Sequence, residues 1–294
     1  MTRSSAMAEG NDSNPNHAAY LVPGLERGLR VLEALAEAGR PLGLTEIGAR
    51  LGVTRSSVFR LVYTLRHMGF LEEVEGAKGY RLGARVLNLG FAYLTAQDII
   101  ETARPELELL RDRTGVTTHL AIRDGAEVLY LSCIQTRTGF LSNMNVGSRL
   151  PAYASPMGWL LMADLSPREV ATLFAGTTLT PWTEQTPADL ATLLARIGAA
   201  AASGHVVSRG IMEPGGSSIA ASVFARDGTV AAAIDISGPD SAFDFDAFDE
   251  RYVPEVRAAA ARISARLGHA GAVSPAPPPA SRTAASRSPR SPHR

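Results

Sequence analysis

The chain has 294 residues, 45% of them hydrophobic, enough for two domains with sizeable cores. Its 29 basic and 29 acidic residues cancel, so overall charge selects no partner and any nucleic-acid surface has to be a local patch. One cysteine, Cys133, excludes a disulfide framework within the chain and fits a reducing compartment, and no run reaches the ~18 apolar residues of a membrane span.

Residues 1–21 lack a hydrophobic signal core and read as a disordered lead-in to a cytoplasmic protein. A first helix is expected from Leu25 to Glu37, with Leu25, Leu29, Leu32 and either Leu35 or Ala36 at helical spacing and Gly39 and Pro41 ending it. "GLTEIGARLGV" is a second helix, with Thr45 as its N-cap and Gly52 suited to the left-handed position after the last turn. Thr54 caps a third helix that runs to about Met68 on a stripe of Val58, Leu61, Leu65 and Met68. Two short strands, Phe70 to Val74 and Gly79 to Leu82, follow around a glycine-containing turn. Three helices and a small hairpin describe a winged helix-turn-helix over residues 22–83.

Residues 84–98 form a linker helix. Val86, Leu87, Leu89, Phe91 and Leu94 cover more than one stripe, which calls for burial against a partner subunit or the next domain. A larger domain spans 99–269. It opens on the amphipathic helix "ETARPELELLRDRTG". Two hairpin patterns, turning at Asp124-Gly125 and Asp227-Gly228, flank a helical middle, and a last helix runs from about Asp249 to Leu267. This is an α+β arrangement, helices packed on an antiparallel sheet. Cys133, within "VLYLSCI", reads as a buried structural thiol. Residues 270–294 are a solvated Pro/Ser/Arg tail without the composition of a core.

The third helix carries Arg55, Arg60, Arg66 and His67 and no acid, although acids suit the start of a helix. With its apolar stripe turned inward, it presents Arg55, Ser56, Phe59, Arg60 and Tyr63. A helix entering the major groove sets its first turns against base edges. There Thr54, Ser56 and Ser57 can bond phosphate or bases, arginine can grip guanine through two bonds, and Phe59 can meet thymine methyls. Thr45, at the start of the second helix, and Lys78, in the wing and the only lysine of the chain, complete the candidate DNA-facing set.

The segments "LERGLRVLEAL", "LGLTEIGARLGVTRSSVFRLVYTLRHMGFLEE", "YRLGARVLNLG", "LAIRDGAEVLYLS", "VGSRLPAYASPMGWLLMA" and "GGSSIAASVFARDGTVAAAIDISGP" together resemble the IclR family of bacterial transcription regulators, over roughly residues 22–268. The resemblance implies a dimeric or tetrameric regulator of a double-stranded DNA operator, with a GAF-like domain that binds a small organic acid. "LNLGFAYL" and "RLPAYASPMG" are most similar to the branch that responds to protocatechuate, hydroxybenzoate and related aromatic acids, regulators of catabolic operons. No cofactor or metal is implied.

Carried over by position, the family's effector pocket falls on Ser155, Pro156, Met157 and Gly158, on Ser208, Ser218, Asp235 and Ser237, and on Leu141 and Met144 as an apolar wall. "SPMG" offers a hydroxyl and amides at a helix start, which favour a carboxylate. Two departures stand out. Trp159 occupies a place where the family often has lysine or arginine, and Ser208 and Arg209 stand where acids are common. Arg209 is therefore a candidate charged partner for an acidic effector and Trp159 a candidate border of an aromatic pocket, while Asp235 disfavours an anion unless protonated or paired. An enzyme would need more than His119, His205, Ser217, Ser218 and Asp235. The chain has no G-x-S-x-G elbow, no phosphate-binding glycine loop and no metal-ligand spacing, and His119 reads as a strand residue beside the core. A constitutive DNA-binding protein without ligand is the alternative to a ligand-controlled one.

Overall fold

A computed structural model describes residues 20–74, 76, 79–136 and 144–270. Lys78, Leu141 and the tail from residue 271 lie outside the described residues.

The N-terminal unit contains α1 (Pro23–Ala38), α2 (Leu44–Leu51), α3 (Arg55–His67) and the antiparallel pair β1 (Leu71–Val74) and β2 (Gly79–Leu82). Val31, Leu35, Leu42, Ile47, Val58, Val62 and Leu71 form its core. Leu42 exchanges two backbone hydrogen bonds with Tyr80, which ties the wing to the α1–α2 connection. The pattern reading of α1 needs correction. Proline opens the helix at Pro23, and Leu25 and Leu29 face solvent while Gly28, Val31, Ala34 and Leu35 are buried. In α3 the buried positions are Val58 and Val62, flanked by Leu61 and Leu65, and Met68 is exposed. Thr45 is not a cap. Gly43 holds that position without a side-chain bond, and Thr45 is an exposed residue of the first turn.

Between α2 and α3 the chain turns on Gly52, at φ 67°, where a left-handed backbone favours glycine. A Cβ on Gly48 would sit 2.9 Å from the Val53 carbonyl oxygen, so the two helices close tightly. Thr54 accepts a bond from the Ser57 amide at 3.4 Å and starts α3, as its position suggests.

The linker helix α4 (Arg85–Thr95) has no buried residue within the chain. Leu87, Leu89 and Phe91 are each about three-fifths exposed, and only Leu94 packs against the following core.

The C-terminal unit is a six-stranded antiparallel sheet in the order β5-β4-β3-β8-β7-β6. Its strands are β3 (Thr118–Asp124), β4 (Glu127–Ile134), β5 (Arg149–Pro151), β6 (His205–Arg209), β7 (Gly216–Phe224) and β8 (Val230–Pro239). Both Asp-Gly hairpins form, β3–β4 and β7–β8. One face is apolar. Leu120, Leu131, Ile219, Val223, Ile234 and Ile236 pack under α5 (Asp98–Thr114) and the last helix, α9 (Val253–Arg266). Glu106 of α5, almost fully buried, is held by Arg262 at 2.6 Å and Arg266 at 2.7 Å and fastens the two helices. The segment from Asp249 is not yet this helix: Phe248–Tyr252 make a π-helical turn before it.

The other face carries α6 (Pro156–Leu161) and α8 (Leu190–Ser203), with α7 (Pro167–Leu173) at its margin. Gly158 of α6 packs so closely on the turn Ala152–Ala154 that a Cβ there would lie 2.1 Å from the Ala152 carbonyl oxygen. We expect Gly158→Ala to cost more than about 2 kcal/mol, because backbone cannot yield as a side chain does. Urea unfolding of the two proteins measures this, and equal midpoints would refute it.

Candidate DNA-binding helix and effector cavity

On α3, Arg55, Ser56, Phe59, Arg60 and Tyr63 are exposed and Ser57 is half-buried. Phe59 and Tyr63 lie on one face with ring centroids 6.2 Å apart. The arginines divide into two groups. Arg66 is ion-paired with Glu73 of β1, and Arg81 of the wing with Glu72 at 3.1 Å. Arg55 and Arg60 have no ion-pair or hydrogen-bond partner among the described residues. The helix thus keeps two guanidinium groups free on its outer face, beside hydroxyls that let another backbone approach.

In the C-terminal unit a cavity of about 190 Å³ opens at one end of the sheet. Its floor is Ser208 of β6, Ser217 and Ser218 of β7 and Ser237 of β8; Met144, Leu150, Trp182, Ile211 and Met212 form apolar walls, and the exposed Glu213 stands among the lining residues. Sheet register builds this floor, because Ser208 pairs with Ser218 and Ser218 with Ser237. Ser208 Oγ and Ser218 Oγ are 2.9 Å apart. A larger open groove of about 570 Å³, lined by Arg123, Asp164 and Arg226 among others, lies at the opposite end of β7 and β8.

The structure brings Met144, Ser208, Ser218 and Ser237 together around the cavity, while the other described candidates, Ser155 to Trp159, Arg209 and Asp235, are not among its lining residues. Ser155, Pro156, Met157, Gly158 and Trp159 are buried, and none of them lines it. Trp159 packs in the core, its indole N–H donating to the Tyr153 carbonyl at 2.8 Å. Arg209 is committed to Asp240, with Nε 2.8 Å from Oδ2 and its guanidinium 4.2 Å from the Phe245 ring centre. Ser217 donates to the other Asp240 oxygen at 2.7 Å, and this bond, together with Arg209, holds the Asp240 carboxyl below its ordinary range. Trp182, Ile211 and Met212 are not singled out by the sequence, since segments far apart in the chain bring them together, and Ser217 is weighed there only as a catalytic candidate.

Asp235 is paired. Its Oδ1 lies 2.7 Å from Nδ1 of His119, its cross-strand partner on β3, and both side chains are almost completely buried. The same Nδ1 is 3.2 Å from Ser237 Oγ. Tyr130 stands edge-on to the imidazole at 5.5 Å. Burial disfavours the imidazolium, but the charge and hydrogen bond of Asp235, helped by Cys133, outweigh it and raise His119 to about 9. Cys133 is half-buried rather than buried, and its sulfur accepts from Gln135 Nε2 at 3.3 Å. His119 is therefore more than a strand residue beside the core.

Residues 91–265 match the family described as bacterial transcriptional regulator IclR C-terminal, and residues 24–75 match the IclR helix-turn-helix domain. The chain belongs to the IclR family. Like other members, it is a DNA-binding transcriptional regulator and not an enzyme. It is 31% identical over 247 residues to the HTH-type transcriptional repressor AllR of Escherichia coli K12, which covers 83% of this chain and 90% of that one. The HTH-type transcriptional regulator XynR of the same strain is 28% identical over 249 residues, covering 85% and 98%. Among solved structures, a putative transcriptional regulator from Rhodococcus sp. RHA1 superposes with a TM-score of 0.73 at 29% identity, covering 84% of this chain and 98% of that one. An IclR homolog from Microbacterium hydrocarbonoxydans, solved in complex with 4-hydroxybenzoate, gives 0.71 at 27% identity, covering 83% and 98%.

A buried pair in which histidine is raised binds its proton more tightly folded than unfolded. Its stabilisation is fully present below pH 6.5, the ordinary histidine value, and is lost as pH rises through about 9. Over that window the unfolding free energy should fall by roughly 3 kcal/mol, at about 1.4 kcal/mol per unit. Denaturant titrations from pH 6 to 9.5 measure it. His119→Gln should flatten the slope, and an unchanged slope in that variant would contradict the assignment.

Proposed function

We propose that this IclR-family regulator reads its operator with α3 and is controlled by a small aromatic acid bound in the serine-floored cavity, whose apolar walls suit a ring. The observation that carries this reading is the cavity itself: hydroxyl donors on one side, Met144, Leu150, Trp182, Ile211 and Met212 on the other. At about 190 Å³ it is smaller than the pockets that take drug-sized ligands and suits a metabolite. The 4-hydroxybenzoate complex of the Microbacterium homolog supports an aromatic acid as the first ligand to test. Such a ligand would act by favouring one arrangement of paired DNA-binding units over another, in control of a catabolic operon.

On the DNA side, Thr54, Arg55, Ser56, Ser57, Phe59, Arg60 and Tyr63 form the reading surface, with Thr45 beside it. Arg55 and Arg60 carry most of the local charge, because Arg66 and Arg81 are neutralised within the domain. A second copy of the chain covers the outward face of α4. Leu87, Leu89 and Phe91, with Tyr20, Leu21, Val22 and Leu25 ahead of and within α1, are too much exposed apolar surface for a monomer. Pairing two copies also pairs two reading helices, as a two-fold operator requires.

Two measurements test this reading. Arg55→Ala and Arg60→Ala should each weaken binding to DNA from upstream of the regulated gene by roughly 1–3 kcal/mol if they contact bases, and flatten the salt dependence if they contact phosphate. Full affinity in both variants, read by fluorescence anisotropy, would remove α3 from the interface. Leu87→Glu combined with Phe91→Glu should halve the mass seen in sedimentation, and an unchanged mass would place the subunit contact elsewhere.

A further inference from the structure

The cavity floor is backed by the buried His119–Asp235 pair, and Ser237 belongs to both. We propose that His119, held by Asp235, is a positioning residue that turns the Ser237 hydroxyl proton into the cavity, so that Ser237 and the Ser208–Ser218 pair together form a two-donor cradle for a carboxylate. This deepens the effector reading above and rests on it.

The argument follows the hydrogen-bond roles of the groups. An ionised carboxylate can only accept, so the contact of 2.7 Å with Asp235 Oδ1 fixes the proton of His119 on Nδ1. Ser237 Oγ, 3.2 Å from that same nitrogen, can then only accept from it, as the longer branch of a shared bond. That contact is the one hydrogen bond of the Ser237 hydroxyl among the described residues, so its own proton is left for the cavity that Ser237 lines.

The Ser208–Ser218 pair supplies the second donor, from whichever hydroxyl accepts in their mutual bond. The two hydroxyls, 2.9 Å apart, use one proton between them and leave the other over. Ser218 is the cross-strand neighbour of Ser237, and such neighbours have Cβ atoms about 4.5–5.5 Å apart. Two donors at that spacing converge on the two oxygens of one carboxylate. Arg209, the nearby cation, is engaged with Asp240, so the acid is recognised by oriented hydroxyls instead of by a salt bridge. The raised affinity of His119 for its proton keeps this orientation through the neutral range.

The test uses the full chain with 4-hydroxybenzoate as probe and 4-hydroxybenzyl alcohol as its analogue without the carboxylate, bound under calorimetry. The acid should bind at least tenfold more tightly than the alcohol. Ser237→Ala and His119→Gln should each weaken the acid about tenfold, the loss of one hydrogen bond to a charged group. The double variant should be no weaker than Ser237→Ala alone. A purely structural histidine would give additive losses, about a hundredfold in the double variant, and that result would overturn the proposal. Should His119→Gln fail to fold, Asp235→Asn removes the fixed proton while keeping the imidazole, and its loss should likewise vanish in the Ser237→Ala background. If Ser218→Ala weakens the acid but Ser237→Ala does not, the cradle is wrong and the cavity reading stands. If neither does, or the wild type binds no acid, both fall.

Discussion

The antiparallel pairing of β3 with β8 is the constraint on which the C-terminal unit depends. It sets His119 opposite Asp235 and Ile234 and Ile236 opposite Leu120 and Thr118, so the two faces of the sheet acquire different chemistry from alternate residues of the same strands. One face becomes a continuous apolar core under α5 and α9. The other buries a charged pair that is tolerable only because each member satisfies the other, since removing either would strand a charge in the interior. A slip of one residue would exchange the faces, exposing isoleucines to the cavity and driving the pair into hydrocarbon. The ion pair therefore penalises wrong registers as much as it stabilises the right one.

The same register places the serines. Ser208, Ser218 and Ser237 come from three strands, and adjacent pairing alone makes them a row. The cavity lies at the end of β7 and β8 where β8 runs into the turn at Asp240, whereas the linker enters at the other end, near Gln97 and Ile99. Between these ends stand α5 and α9, locked by Glu106 with Arg262 and Arg266. In the functional reading above, copies of the chain meet on the exposed apolar face of α4.

Much of this organisation is legible in the sequence, for local reasons. Thr54 as a cap, Gly39 as a helix end, Gly52 in a left-handed position and the two Asp-Gly hairpins depend on neighbours in the chain, and neighbours can be read. Three of the floor hydroxyls, Ser208, Ser218 and Ser237, were legible through family resemblance, and Ser217 was not. The link between His119 and Asp235 was not, because register joins residues 116 apart and no local signal records it. Nor was the commitment of Arg209 to Asp240, which depends on the turn after β8. The burial of Ser155 to Trp159 was not legible either, since it follows from packing against the turn Ala152–Ala154, where a Cβ on Gly158 would lie 2.1 Å from the Ala152 carbonyl oxygen.

The central claim is that a ligand in the serine-floored cavity changes how α3 engages DNA. Filling the cavity separates the two functions. Operator affinity of the full chain should be measured across a 4-hydroxybenzoate titration for the wild type and for Ser218→Leu, whose side chain occupies the floor. The account predicts that the ligand shifts wild-type affinity, while Ser218→Leu binds DNA and ignores the ligand. A wild type that does not respond, or a filled variant that still does, would contradict it.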